Sequence, residues 1–563
     1  MQTREETLDL IRQNPDISVL VIGGGINGVG TYRDLALQGV DVLLVDKGDF
    51  CSGVSMASSH MLHGGIRYLE NGEFHLVREA VQERNLLLSN APHYVKPLQT
   101  VIPVFQWFSG LLNAPLKFLG LLDIPSERGL IVIKIGLLLY DLFSGSQNTL
   151  PKHQIVSRSE TKKKFPHINP EVKVTAQYFD AAMHSPERIC IEMILDGESA
   201  NPDAHAINYA AIENASREGV VLKDQLTGQP FHIQPKIVIN AAGPWIDFVN
   251  GKMDLPTQFI QGTKGSHLIL NNPDLRNAIG DNEFFFENKD GRMVLIYPLL
   301  DSVLVGTSDI PIQDPEQARC TQEEIDYFID MVNLIFPDIP ITRDQIIFQY
   351  SGVRPLPASE ARTTGQISRN HSVKVIPLGE KFEFPIFCLV GGKWTSFRNF
   401  SEEVTDMTLK ALNRNRIKST RDLPIGGGRN YPESSAAYEE WIDRQVIKSQ
   451  ISRDRVVELF ERYGTRSSDI LDVISTRADE PLANIPEFSQ CEIQFLTREE
   501  KVIHLDDFIL RRSMLSKRGR LSIDIMEEIA HVIGEELGWS TSHIENEIDR
   551  AVEILRENHG ISI

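Results

Sequence analysis

Three glycines and one acid come first among the residues whose spacing could do chemistry. Gly23, Gly25 and Gly28 form a G-x-G-x-x-G pattern directly after a short, continuous apolar run at 17–22. In that setting Gly23 permits a tight turn, Gly25 lets a pyrophosphate approach the backbone, and Gly28 allows a helix to pack closely on a strand. A helix opening near Ile26 would point its first amides at the phosphates. Asp46 ends a second apolar run, 40–45. Its carboxylate can accept a hydrogen bond from a ribose 2′-hydroxyl and would repel a 2′-phosphate. Strand, turn, helix and strand, closed by an acid, predict a site for an adenine dinucleotide. The glycine pattern by itself does not separate FAD from NAD.

The elements around this unit are legible from periodicity. Phe74, Val77, Val81 and Leu88 fall at helical spacing within 73–90. From about 170 to 240 strands mix with one helix, ending in 236–240 and then Ala241-Ala242-Gly243-Pro244-Trp245. Short β-like runs follow at 267–270, 293–297, 303–306, 373–376 and 386–390, with a helical segment at about 320–336. A glycine-rich break at 426–428 precedes a charged tail of helical periodicity, which sets a domain boundary near 410–432.

The chain has 563 residues and a formal net charge of −20, which argues against nucleic acid as the main partner. A local basic patch for an anionic substrate or an anionic membrane stays open. Five scattered cysteines without C-x-x-C point to free thiols in a reducing compartment and to no zinc site. Residues 1–14 are charged, with no apolar signal core, so the expectation is a cytoplasmic protein. No run is long and apolar enough to cross a bilayer, which takes about 20 residues. The nearest, 110–122 and 129–140, are broken by Asn113, Pro115, Lys117 and Lys134. They read as buried helices, as a helix and a strand, or as a surface that dips into one leaflet.

The run Ser58-Ser59-His60-Met61-Leu62-His63-Gly64-Gly65-Ile66-Arg67-Tyr68 resembles the flavin-dependent glycerol-3-phosphate dehydrogenases. The likeness recurs at Asn240-Ala241-Ala242-Gly243-Pro244-Trp245, Lys264-Gly265-Ser266-His267 and Gly306-Thr307-Ser308-Asp309. It continues at Tyr350-Ser351-Gly352-Val353-Arg354-Pro355-Leu356 and Gly391-Gly392-Lys393-Trp394-Thr395-Ser396, and weakly at Arg511-Arg512. It covers nearly the whole chain, in order. The resemblance implies an α/β FAD-binding fold of the glutathione-reductase or amino-acid-oxidase type, with a β-rich substrate cap and a helical C-terminal domain. The FAD-binding segments would be about 15–100, 195–250 and 350–410, the cap about 101–194 and 251–349, and the helical domain 430–563. It implies oxidation of sn-glycerol 3-phosphate to dihydroxyacetone phosphate. The electrons would pass to a membrane quinone at the inner face, or to oxygen in an oxidase branch. An oxidase of a related hydroxy or amino acid, and a degenerate flavoprotein scaffold, are the alternatives.

Such an oxidation needs a base for the hydroxyl proton and a flavin for the C2 hydride. A phosphate dianion needs converging cations, best supplied by arginine forks. Arg354 and Arg369 are the expected phosphate ligands. Arg67, Tyr68 and Lys393 are placed nearer the substrate oxygens and the flavin. His63 and His267 are both candidate bases, and the sequence leaves the choice open. Ser52, Ser55 and Ser58 suit contacts to the FAD phosphates and ribitol. Gly64 beside His63 would let backbone approach the flavin, and Gly391, Gly392, Lys393, Thr395 and Ser396 would form a second helix terminus at its pyrimidine end. Three features depart from the family pattern. Val54 and Met56 stand for hydroxyl residues and His60 for a lysine; 184–188 carries an extra residue; and 105–127 is longer and more apolar.

Overall fold

A computed structural model describes residues 3–66, 69, 72–109, 129–144, 150–359 and 370–563. The apolar run at 17–22 lies in the strand Asp16–Ile22, whose last five residues are buried. Burial on both faces is why it reads as unbroken rather than alternating. This strand lies inside a sheet ordered Ser372–Ile376, Ile386–Val390, Pro230–Asn240, Asp16–Ile22, Val42–Val45, Ala204–Ile207. Along this path all pairings but that of the Ser372–Ile376 edge are parallel, and an antiparallel pair, Ala210–Ala215 with Val220–Asp224, is added to Pro230–Asn240. The helices Ile26–Leu37, Pro186–Ala200 and Phe397–Ala411 cover one face. Arg4–Gln13 and Ile246–Lys252 cover the other.

A second, mostly antiparallel sheet stands over the first. Its order is Ile310–Pro311, Ile260–Leu270, Ser302–Gly306, Met293–Leu299, Asn282–Glu287, Val95–Val104, Val174–Met183, Met61–Leu62, with Ile346–Pro357 added to Ile260–Leu270. Its edges differ from the sequence expectation. Val95–Val104 pairs along its whole length with Val174–Met183, so the cap begins before residue 101. Helix Pro186–Ala200 packs on Ile26–Leu37, so the chain returns to the first layer before residue 195. Ile346–Pro357 pairs with Ile260–Leu270 almost end to end, so the cap runs past residue 349. In each case a long ladder or an apolar helix face, neither visible in local composition, sets the boundary.

The helices from Ser435–Ser449 to Thr541–His559 pack against one face of the second sheet. Leu98, Tyr297, Phe348 and Tyr350 share a core there with Trp441, Phe460, Phe508 and Ile529. Helix Gln322–Ile335 covers the opposite face with Ile325, Phe328, Val332 and Ile335, the spacing that predicts it.

Charge also ties the C-terminal helices to the first layer. Asp49, just downstream of Asp46, accepts from Arg512 Nη1 and Nη2 at 2.6 and 2.9 Å and also from Arg511 Nε, and all three residues are buried. Arg511 reaches Asp506 and Asp507 as well, at 3.0 and 2.7 Å. Burial opposes ionisation of Asp49, yet Arg512 and Arg511 hold its carboxyl well below the ordinary carboxylate range. A depressed folded-state pKa contributes stability above the unfolded value, about 3.9, that is lost as pH falls through the folded one. Asp49→Asn is therefore expected to lower stability at pH 7 by ~3–5 kcal/mol in chemical denaturation and to flatten the acid loss below about pH 4. Equal midpoints for the two proteins at pH 7 would refute this role.

Candidate active site

The two sheets enclose a cleft of about 1370 Å³. That exceeds the ~300–1,000 Å³ typical of drug-sized ligands and suits a dinucleotide with a substrate. The Gly23–Gly28 turn forms one end. Gly23 has φ +112°, and a Cβ there would lie 2.6 Å from Ala241 O. A Cβ on Gly28 would lie 1.8 Å from Gly23 O, so the turn closes only with glycine at both positions. Gly25 faces the cleft, where its nearest neighbour is Ser55 Oγ, which accepts from Ile26 N at 2.9 Å. Asp46 accepts from Gly24 N at 2.6 Å and Gly48 N at 2.9 Å. Burial pushes its carboxyl up to about 6 against those two amides. Each oxygen keeps a lone pair for a further donor such as a ribose hydroxyl.

Ser52, Ser55 and Ser58 line the same cleft, as do Gly391, Gly392, Lys393 and Thr395. Asn27 Nδ2 donates to Gly391 O at 3.1 Å, joining the two glycine-rich turns. Three residues expected at the cofactor lie behind the wall. Gly28 packs under the turn, and Ser396 is buried at the start of helix Phe397–Ala411. Gly64 donates to Asp180 Oδ1 at 2.9 Å, and a Cβ there would lie 2.1 Å from the Tyr140 hydroxyl oxygen. Gly64 is thus a packing glycine against Tyr140, and it is Gly65 that lines the cleft.

The donors present fit FAD. Trp245 Nε1 and Asn27 Oδ1 are buried in the cleft wall with no hydrogen-bond partner among the described residues. One is a donor and one an acceptor, a pair that a dinucleotide's phosphates and amides can satisfy.

Strand Ile260–Leu270 builds the other end, and its period of two sorts the residues. Gly265 and His267 face the cleft. Lys264 and Ser266 face helix Gln322–Ile335, where Glu324 accepts from Lys264 Nζ at 2.7 Å and Ser266 Oγ at 2.8 Å. Glu324 also accepts from Ser308 Oγ at 2.5 Å. That fixes the 307–309 loop, which in turn holds Arg354. Its Nη2 donates to Thr307 Oγ1 at 2.9 Å, and its Nη1 to Ser308 O at 3.1 Å and Asp309 Oδ1 at 3.3 Å. Arg354 lies over Gly265, where a Cβ would stand 2.3 Å from Nη2.

His267 Nε2 lies 2.8 Å from Ser59 Oγ, and its Nδ1 is buried with no hydrogen-bond partner among the described residues. The ring stacks on Tyr350 at 4.9 Å. Burial, then Arg354, then Lys517 push the imidazole down to about 3, so it is neutral at pH 7. His63 also lines the cleft, and its carbonyl accepts from Thr395 Oγ1 at 3.4 Å. Arg67, Tyr68, Arg369 and the run 110–122 lie outside the described residues.

Sequence reasoning missed Ser59, Asp180, Glu324 and Tyr350. Strand parity could have found Tyr350, since it alternates with Gly352 and Arg354. The others act through partners distant in the chain.

Residues 18–376 match the family described as FAD dependent oxidoreductase, and residues 418–544 match the C-terminal domain of alpha-glycerophosphate oxidase. A glycerol-3-phosphate dehydrogenase of Synechocystis sp. is 33% identical over 568 residues, 97% of this chain and 97% of that protein. The aerobic glycerol-3-phosphate dehydrogenase of Bacillus subtilis is 28% identical, with 92% of this chain and 89% of that protein covered. A solved glycerol-3-phosphate dehydrogenase from Bacillus halodurans, complexed with FAD, shares the fold. Its TM-score is 0.76 at 22% identity, covering 99% of this chain and 98% of that one.

The turn geometry sets a direct expectation. Gly28→Ala should cut FAD affinity by more than about tenfold, the scale of one lost hydrogen bond to a charged group. Flavin absorbance after gel filtration measures it, and a variant with full flavin content would refute the role given to the turn.

Proposed function

The chain belongs to the FAD-dependent glycerol-3-phosphate dehydrogenases, and from that premise we propose how its cleft oxidises sn-glycerol 3-phosphate to dihydroxyacetone phosphate. When bound, FAD supplies the acceptor for the C2 hydride, which no side chain can provide. Gly23, Gly25, Asp46, Ser52, Ser55, Ser58, Gly391 and Gly392 would hold it. Arg354 binds the substrate phosphate, its guanidinium oriented by the 307–309 loop. Lys393, with Arg67, Tyr68 and Arg369 from outside the described residues, completes the proposed substrate set. His267 takes the C2 hydroxyl proton on a ring nitrogen. The observation that carries this reading is a buried, neutral imidazole on the same strand face as the position over which Arg354 lies. A neutral ring can accept a proton at pH 7, and the nearby cation can hold the anionic end of the same small molecule. His63 lines the same cleft as a second candidate contact.

We propose a membrane quinone as the electron acceptor. Helix Leu130–Ser144 packs Gly136 against Ile66 and Tyr140 against Gly64, directly behind the His63 loop. Its outer side exposes Ile135, Leu138 and Leu142, beside exposed Trp107 and Phe108. Ile131 N donates to Trp107 O, which joins the two groups into one apolar patch. No described helix is long and apolar enough to cross a membrane. A patch of this kind suits seating on one leaflet.

Anaerobic glycerol 3-phosphate should bleach the flavin absorbance, and glycerol should not. In stopped flow, Arg354→Ala is expected to raise the substrate Kd by about 10- to 100-fold. His267→Asn is expected to slow flavin reduction by about 10²- to 10⁴-fold. A larger loss in His63→Asn would move the base to His63. Re-oxidation faster with oxygen than with a soluble quinone would favour an oxidase. The wild-type protein should float with anionic liposomes and Leu138→Glu/Leu142→Glu should not; a wild type that stays at the bottom of the gradient would refute the membrane seat.

A further inference from the structure

We propose that Lys517, in the C-terminal helical domain, is a positioning residue for His267, acting through His60 and Tyr350. This rests on the reading of His267 as the base. Lys517 is only 2% exposed. Its ammonium donates to Glu187 at 2.5 Å and to His60 Nε2 at 3.2 Å. The other nitrogen of His60 fixes the direction of that second bond. Nδ1 faces two carbonyls, Met183 O at 3.0 Å and His184 O at 3.2 Å, so it carries the hydrogen and Nε2 the lone pair. His60 is therefore neutral; burial first, then the Lys517 charge, holds it well below the ordinary imidazole range.

Two paths lead from this cluster to His267. The first runs along the backbone. His60 has φ +55°, a conformation uncommon for a residue with a Cβ, and its N–H donates to Ser58 Oγ at 3.3 Å. The bonds from Lys517, Met183 and His184 over-determine that turn. The turn in turn presents Ser59 Oγ at 2.8 Å from His267 Nε2. The second path runs through a ring. Lys517 Nζ stands 5.9 Å from the centroid of Tyr350, the ring that stacks on His267. The Tyr350 hydroxyl donates to Ser58 O at 2.7 Å, so both paths meet in the 58–60 loop.

A buried ammonium is costly to desolvate, and Glu187 alone would make only a structural pair of it. The His60 bond and the place beside Tyr350 direct its charge toward the base. The groups that face His267 are Arg354, Lys517, His60, Ser59 and Tyr350. Two cations among them, with burial, hold the ring neutral before substrate arrives, so what the 58–60 loop and Tyr350 supply is its position.

The test uses FAD-loaded Lys517→Met/Glu187→Gln, which removes the pair without stranding a charge, in anaerobic stopped flow across pH. The expected result is flavin reduction about tenfold slower near pH 7, with the substrate Kd within about twofold. The acid limb of the rate profile should also move up by about one pH unit, because loss of a nearby cation favours the protonated ring. A profile that superimposes on wild type, while His267→Asn is slow, overturns the Lys517 proposal alone. A His267→Asn protein as fast as wild type overturns the base assignment instead. If the double variant fails to hold FAD, Lys517→Arg is used. It keeps the charge but replaces the compact ammonium with a larger planar fork that changes the geometry at His60, so slower reduction with an unmoved acid limb is expected, and a wild-type rate overturns the proposal.

Discussion

Asp49 leaves the first layer beside the cleft-lining carboxylate of Asp46 and ends between two arginines of the C-terminal helices. The 46–60 loop is tied to the C-terminal helices at that anchor and, at its far end, at the bond between His60 and Lys517. Taking a carboxylate and two guanidinium groups out of water costs several kcal/mol per ion even after relaxation. The cost is offset only because the geometry is complete. Asp49 accepts on both oxygens, and Arg511 is also satisfied by Asp506 and Asp507. Tyr209 closes the set by donating to Asp507 at 2.5 Å. The loop that lines the cleft with Ser52, Ser55 and Ser58 is thus clamped to a second domain at both ends.

The second sheet solves a different problem, that of holding polar groups in a buried wall. Its strands alternate between the cleft and the Gln322–Ile335 helix. One strand, Ile260–Leu270, therefore supplies both a cleft-facing His267 and a rear-facing Lys264 and Ser266. The rear residues gather on Glu324, and through Ser308 that carboxylate reaches back to the loop that orients Arg354. Glu324 also accepts from Thr321 N at 2.9 Å, capping its own helix. A single buried carboxylate sets the helix start, the strand and the cleft-lining Arg354 together. Pre-organisation of this kind fixes an arginine fork before substrate arrives and lowers the entropy lost on binding.

Much of this was legible in the chain. The dinucleotide unit, the helix within 73–90, the β-like runs from 267 to 390 and the helical tail all have local signals: a period, a glycine turn or an apolar run. The cleft glycines and serines followed from one motif and one loop. What stayed hidden depends on partners far away in sequence. Gly64 looks like a glycine for flavin approach until the helix carrying Tyr140 is placed against it. The segment 184–188, which departs from the family pattern, supplies Glu187 and Arg188 to Lys517 and Glu500 of the C-terminal domain. His60, which stands where the family has a lysine, turns away from the cleft into the same joint. No periodicity encodes a contact across more than three hundred residues.

That joint changes how the C-terminal helices are to be regarded. They share an apolar core with the second sheet, and this contact alone could hold the domains together. Replacing buried ion pairs with well-packed apolar groups is often neutral or stabilising, so stability does not explain Asp49 with Arg511 and Arg512, Glu187 with Lys517, or Arg188 with Glu500. An apolar contact tolerates sliding, whereas a forked arginine on a carboxylate tolerates neither sliding nor rotation. The pairs fall where register matters: at the two ends of the 46–60 loop and at the start of helix Pro186–Ala200 that packs on the dinucleotide helix. The C-terminal domain therefore belongs to the active site by geometry, although none of its residues lines the cleft.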